Sequence, residues 1–264
     1  MKDELWEERG IAYRTNIFES SRETLVFIHG LGTTCSGWEP FETALENDFN
    51  ILTYDLRGHG FSRKYKNYAD YDLKNLADDL RALLDYLGIH SCSLVSNSIG
   101  TLVALLYVYH YPGTVRTNLL LAPVYKQHHS PTIVEAKSRR SSFMNLLSLM
   151  PFAPHNGKRV DYSRFEFAAD VELRRLLSEI KSLSLRIFLF YLHHMNAFTD
   201  YAWWSQIRIP TTIVHGTKDT FAPYHLAVEL SKAMPNAKLV TLEGANHIVI
   251  VNNKREIIAQ IKNQ

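Results

Sequence analysis

Cysteine is nearly missing from the 264 residues: Cys35 and Cys92 are the only two, and neither sits in a C-x-x-C pair or a Cys/His ligand spacing. A disulfide framework is therefore excluded, no metal site is expected, and a reducing cytoplasmic setting is the expected one. A surplus of charge is missing as well. Lys plus Arg number 29 against 27 Asp plus Glu, a net +2, and no basic run is long enough to track a phosphate backbone, so nucleic acid is excluded as a partner. Long apolar runs are absent: the stretch 101–109 is about half of the ~20 residues a membrane span requires. The first nine residues, MKDELWEER, are mostly charged and lack the apolar core of a leader, so neither export nor a membrane anchor is expected. The KDEL string at 2–5 is an address only at a C-terminus. Glycine (12) and proline (9) are too few for collagen, and no repeat or low-complexity tract interrupts the chain.

What is present is core material. Hydrophobic residues make up 46% and aromatics 12%, and a chain of this size buries roughly 70–75% of its unfolded surface, so packing alone can support one large domain or two small ones. Short apolar, β-branched runs recur at 25–29 (LVFIH), 51–55 (ILTYD), 92–96 (CSLVS), 117–122 (TNLLLA), 211–215 (TTIVH) and 238–242 (KLVTL). Helical periods alternate with them; one runs through Leu73, Leu76, Leu80, Leu83, Leu84 and Leu87 and stops at Gly88, and an apolar helix is expected over 101–111. This order predicts an α/β fold, a mostly parallel central sheet flanked by helices. The rhythm breaks over 124–209, where Ser130-Pro131 and Asp170-Val171 read as helix starts and no strand is evident. The expected organisation is a core of 1–123 and 210–264 with a helical cap inserted between them.

Chemistry is written first at Leu94-Val95-Ser96-Asn97-Ser98-Ile99-Gly100, an apolar strand turning into an apolar helix. Such a turn displays a nucleophile, with small residues two places before and after it because strand and helix approach closely there. Ser98 fits, with Gly100 behind it and Asn97 before it. Ser96 stands where the usual G-x-S-x-G pattern has glycine, so its hydroxyl must fit a crowded turn. Taken as nucleophile itself, Ser96 would lie on the strand, and Ser98 is preferred.

Other strand ends carry His29-Gly30-Leu31-Gly32, then Asp55-Leu56-Arg57-Gly58-His59-Gly60-Phe61-Ser62, then His215-Gly216-Thr217-Lys218-Asp219, and finally Gly244-Ala245-Asn246-His247. With the serine turn these resemble, over essentially the whole chain and in order, the α/β-hydrolase family, most of all its small capped serine esterases and lipases. The resemblance implies a catalytic triad Ser98, Asp219, His247, and an oxyanion hole made by the backbone N–H groups of Leu31 and Ile99. His29 and Gly30 would shape the oxyanion loop, His29 as a hydrogen-bonded support rather than a base. In the same resemblance the Asp55–Ser62 loop is structural. Trp38, Trp203 and Trp204 are expected in packing or in the acyl pocket. His193-His194 does not read as a metal pair, since adjacent helical residues point about 100° apart.

The expected activity is cofactor-free cleavage of a small-molecule ester, lactone or thioester through an acyl-enzyme. Serine at the elbow excludes the aspartate-nucleophile branch. Asn97-Ser98 leaves open a carbon–carbon bond hydrolase, although Leu31-Gly32-Thr33-Thr34 lacks that group's Gly-Pro-Gly loop. An acyltransferase and a non-catalytic ligand-binding member of the fold also remain open. In the insertion, Arg139, Arg140, Lys158, Arg159, Arg174, Arg175, Lys181 and Arg186 predict a wet outer face over an enclosed apolar pocket, and hence short to medium acyl chains.

Overall fold

Continuous apolar runs become strands buried on both faces. In β3 (Thr24–Ile28), Val26 and Ile28 join one core cluster while Leu25 and Phe27 join the other, on the opposite side of the sheet. The computed structural model describes residues 1–124, 144, 146–149, 152, 157–165, 167–198 and 202–263. Its eight strands are β1 (Lys2–Trp6), β2 (Ile11–Thr15), β3, β4 (Asn50–Tyr54), β5 (Cys92–Asn97), β6 (Val115–Leu121), β7 (Thr211–Gly216) and β8 (Ala237–Leu242). They form one sheet in the order β1-β2-β4-β3-β5-β6-β7-β8. From β4 to β8 all neighbours are parallel, whereas β2 runs antiparallel to both β1 and β4. The six expected strands are present; β1 and β2 are additions. The run KDELW escapes a search for apolar strands because it is a sheet edge, exposed along much of its length and studded with charge, which discourages pairing with other chains.

The first half of the chain supplies the helices α1 (Glu39–Leu45), α2 (Leu73–Tyr86) and α3 (Ile99–His110), and the end of the chain supplies α6 (Tyr224–Ala233), α7 (Val249–Asn252) and α8 (Lys254–Lys262). The leucine face of α2 is buried as its spacing predicts, Asp72 caps its first turn through Lys74 N at 2.9 Å, and Gly88 ends it at φ 67°. Helix α3 is buried from Ile99 through Val108, and it begins two residues earlier than its apolar run suggests because the Ser98 turn leads straight into it.

Between β6 and β7 lie α4 (Leu173–Leu183) and α5 (Leu185–Ala197). The expected helix start at Ser130-Pro131 falls outside the described residues. Asp170-Val171 does not open a helix: α4 starts at Leu173 with Glu172 in the cap position, and Asp170 is engaged elsewhere. Several charges expected on a wet face are buried instead. Arg175 and Arg186 are buried, and Arg159 reaches inward to Asp55 at 3.2 Å and also pairs with Asp3. Lys158, Arg174 and Lys181 are exposed, but so are Phe167, Val171, Leu173 and Leu177. The outer face is therefore mixed rather than wet: Arg175 and Arg159 meet carboxylates and Arg186 lies over the rings of Phe152 and Phe190. Arg139 and Arg140 fall outside the described residues. Among the described residues, no helix is long and apolar enough to cross a membrane. Both cysteines are free and buried.

Candidate active site

The turn after β5 is strained in the way a displayed nucleophile requires. Ser98 sits at φ 53° and ψ −123°, a region that side-chain-bearing residues seldom occupy. Hydrogen bonds hold it there: Ser98 N donates to Leu121 O at 3.0 Å, and Thr101 donates from N and Oγ1 to Ser98 O at 2.9 and 2.6 Å. Asn97 Nδ2 adds a bond to Leu121 O at 3.2 Å. Gly100 is obligatory, since a Cβ there would stand 2.6 Å from the carbonyl oxygens of both Ile28 and His29. Ser96 is accommodated because its hydroxyl, fully buried, donates to Leu119 O of the neighbouring strand at 3.3 Å.

Ser98 Oγ lies 3.0 Å from His247 Nε2, and His247 Nδ1 lies 2.7 Å from Asp219 Oδ2. The carboxylate fixes the tautomer: Nδ1–H donates to Asp219, which leaves the Nε2 lone pair facing Ser98 Oγ. Asp219 itself is held by the N–H groups of Phe221 and Ala222, which donate to Oδ1 at 2.9 and 2.7 Å. His215 Nε2 donates to Ala222 O at 2.7 Å and stands 3.3 Å from Asp219 Oδ2, and burial depresses its pKa.

The loop after β3 is braced by two neutral histidines. His29 accepts from Leu56 N at 2.9 Å through Nε2, and its Nδ1 lies 2.8 Å from Gly30 O. His59 accepts from Gly32 N at 3.1 Å through Nε2, with Nδ1 3.1 Å from Arg57 O. Burial pushes His29 below and His59 well below the ordinary histidine range, as these acceptor roles require. Gly30 sits close against the serine turn: a Cβ there would come within 3.1 Å of Asn97 Oδ1 and Ser98 Cβ. Leu31 follows it in the lining of the cavity, and Ile99 opens α3, where the first N–H groups have no acceptor within the helix. The Asp55–Ser62 loop is tied into the fold: Asp55 accepts from Cys35 N at 2.8 Å, Phe61 N at 3.1 Å and Arg159.

A cavity of about 370 Å³ opens over Ser98. Gly30, Leu31, Asn97 and His247 line it from the core, and Leu176, Phe188, Leu192 and Met195 line it from α4 and α5. None of the three tryptophans considered above is in the lining; Trp38, Trp203 and Trp204 are core residues. His193 and His194 are occupied with Tyr68, through its hydroxyl at 2.5 Å and its carbonyl at 2.9 Å. Among the described residues no group of three or more His, Cys, Asp or Glu is gathered for a metal ion.

One residue at the site carried no such signal in the sequence. Asp170 Oδ1 accepts from His247 N at 2.6 Å, and Oδ2 accepts from Thr220 N and Oγ1 at 2.8 and 2.6 Å. A single carboxylate from the segment between β6 and β7 thus clasps the loops that carry both His247 and Asp219. Its place next to Val171 suggested only a helix cap; nothing local distinguishes a clasp from a cap.

Comparison with known proteins places the fold. A family model described as alpha/beta hydrolase fold matches residues 23–254. A putative carbamate hydrolase, RutD, of Pseudomonas syringae pv. syringae is 30% identical over 241 residues, 85% of this chain and 86% of the relative. Among solved structures, a putative lipase from Acinetobacter baumannii superposes with a TM-score of 0.76 at 20% identity, covering 99% of this chain and 90% of that one. The enol-lactonase of Burkholderia xenovorans LB400 gives 0.71 at 23% identity, covering 96% and 95%. With the strand order, the serine turn and the family match together, the chain belongs to the alpha/beta hydrolase fold family.

Proposed function

We propose that this chain is a serine hydrolase that cleaves carboxylic esters, with lactones, thioesters and carbamates as neighbouring substrate types. The observation that carries the reading is the unbroken hydrogen-bonded run from Ser98 Oγ through His247 to Asp219 at the base of a cavity. Ser98 Oγ attacks the carbonyl carbon while His247 Nε2 takes its proton, and the carbonyl oxygen gains negative charge. The N–H groups of Leu31 and Ile99 stabilise that charge, at no reorganisation cost because the loops holding them are already fixed. Collapse of the tetrahedral intermediate breaks the C–O bond, and the leaving alcohol receives the proton from His247. Water then attacks the acyl-enzyme, giving a proton to His247; the bond from Ser98 Oγ to the acyl carbon breaks, His247 returns the proton to Oγ, and the acid leaves. Asp219 stabilises the imidazolium throughout.

The segment 124–209 acts in this reading as the cap. Without α4 and α5 the cavity would lose Leu176, Phe188, Leu192 and Met195, and the acyl chain would face water. A lactonase and a carbamate hydrolase among the similar proteins are compatible with the same chemistry, because each substrate presents a carbonyl with a heteroatom leaving group. Two free buried cysteines suit a cytoplasmic enzyme. The test is hydrolysis of p-nitrophenyl esters from acetate to palmitate. A buried methylene adds about 0.8 kcal/mol until the pocket is full, so kcat/KM climbs over a few carbons and then falls. A monotonic rise to palmitate would contradict the enclosed pocket, and no turnover of any ester would contradict the activity.

A further inference from the structure

Two charged side chains of α4, Arg175 and Glu179, stand in the lining of a cavity otherwise walled by α4 and α5 with apolar groups, and both are buried. Arg175 bonds through both terminal nitrogens: Nη1 donates to Glu179 Oε1 at 2.9 Å and Nη2 to Asp170 O at 2.7 Å. Tyr162 OH donates to the same Oε1 at 3.1 Å. Both bonds to Glu179 therefore fall on one oxygen. Oε2 takes none from the described residues, although a carboxylate has roughly four acceptor positions to satisfy. The residue is only 2% exposed and lines the cavity, so the cavity is where this oxygen meets solvent or ligand.

The position of Glu179 makes it relevant to the chemistry. A Cβ placed on Gly32 would lie 2.8 Å from Glu179 Cβ and 3.4 Å from its Oε2, so the side chain rests on the oxyanion loop. Gly30 in that same loop approaches Ser98 Cβ. A charged acceptor is costly to keep in an apolar wall. The cost is offset when a ligand supplies the missing donor, and convergent polar groups of this kind set orientation and choice in mostly apolar pockets.

We propose that Glu179 is a specificity-determining residue whose Oε2 accepts a hydrogen bond from an N–H or O–H group of the substrate within a few bonds of the scissile carbonyl. The preferred substrates are then esters bearing an amide or hydroxyl near the reacting bond, rather than plain alkyl esters. A methylene at that point would displace whatever solvates Oε2 and return nothing, whereas an N–H replaces it in kind. The inference rests on the hydrolase reading above.

Isosteric pairs test it. On the acyl side, the p-nitrophenyl ester of N-acetylglycine differs from that of levulinate by N–H in place of CH₂. On the alcohol side, the butyrate of N-acetylethanolamine differs in the same way from that of 5-hydroxypentan-2-one. For at least one pair kcat/KM should favour the amide by about 10- to 100-fold, the range expected of a hydrogen bond to a charged group. In Glu179→Gln the carbonyl keeps the bonds from Arg175 and Tyr162 and turns an NH₂ donor to the place of Oε2, so that preference should collapse to near unity. Each ratio is divided by that of the two esters' own rates with hydroxide, since an acylamino group activates the carbonyl by itself, and the corrected wild-type ratios stand whether or not the variant folds. Ratios within twofold for both pairs, or a preference that survives Glu179→Gln, would overturn the inference while leaving ester hydrolysis intact. Failure of every ester in the panel would overturn the hydrolase reading as well, so the two failures are distinguishable.

Discussion

The strand-end loops and the segment between β6 and β7 meet over the same cavity but are held by different physics. The loops are fixed largely through their backbone atoms: Ser98 at positive φ, Gly100 with no room for a Cβ, and backbone groups bonded to neighbouring strands and to the buried rings of His29 and His59. The segment is fixed by buried charge, with Arg175 on Glu179, Arg159 on Asp55, and Asp170 on the His247 and Thr220 N–H groups. Lys64 Nζ also reaches across from the core to Ser182 O at 3.0 Å. Backbone geometry tolerates little variation and so suits groups that must act in any substrate's turnover. Ion pairs can be exchanged for other pairs, which suits a wall that sets which substrate is chosen. The difference predicts that changes in the loops abolish the reaction, whereas changes in the segment modulate it.

The largest effects should come from the loops. Ser98→Ala is expected to lower kcat by about 10⁶, with His247→Ala close to it and Asp219→Ala milder at roughly 10⁴. Steady-state kinetics on one activated ester checks all three, and a Ser98→Ala variant keeping a few per cent of activity while Ser96→Ala is inactive would move the nucleophile. Gly100→Ala probes the backbone side without touching a reacting group. Its Cβ would meet two carbonyl oxygens at 2.6 Å, so a loss of about 1–3 kcal/mol in stability is expected by urea unfolding, together with reduced kcat.

Asp170→Asn should be smaller and should separate the two regions. All three groups facing Asp170 are donors, so an amide must turn its NH₂ toward one of them and leave it unpaired. A roughly tenfold fall in kcat with KM little changed is expected, because His247 and Asp219 lose registry while the cavity wall stays. A rise in KM alone would assign Asp170 to substrate binding instead.

The serine turn was legible in the sequence because its constraints are local. Ser98 and Gly100 stand in a turn that few residues can make, whereas Asp219 and His247 were placed by the resemblance of the strand-end motifs to the family, and in the structure His247 lies within hydrogen-bonding reach of both Asp219 and Ser98. Asp170, Arg175 and Glu179 were not legible, since their roles depend on contacts with Thr220, Tyr162 and Gly32 that only the folded chain creates. Spacing along α4 shows that Arg175 and Glu179 are one turn apart, but not that this turn lies over a cavity rather than in water. Strand β1 was missed for the complementary reason, since an exposed edge need not be apolar; β2, buried at Ile11, Ala12 and Tyr13 between β1 and β4, is simply a short run.

The smallest expected effect concerns the buried histidines that brace the loops. Burial lowers the pKa of His29, His59 and His215 in the folded chain, whereas the unfolded chain binds protons near the ordinary value of about 6.5. Below that pH the unfolded state takes up more protons, so the stability these residues contribute is present above about pH 6.5 and is lost as the pH falls. The melting temperature should therefore decline on acidification, and His59→Gln should flatten the decline. A profile unchanged by that substitution would remove His59 from the account.

The most direct test of the central claim, that the strand-end loops activate Ser98, is labelling with a fluorophosphonate followed by peptide mass spectrometry. The account predicts one covalent adduct per chain, located on Ser98, formed rapidly by the wild type and far more slowly by His247→Ala. An adduct elsewhere, or no adduct on a folded wild-type chain, would contradict it.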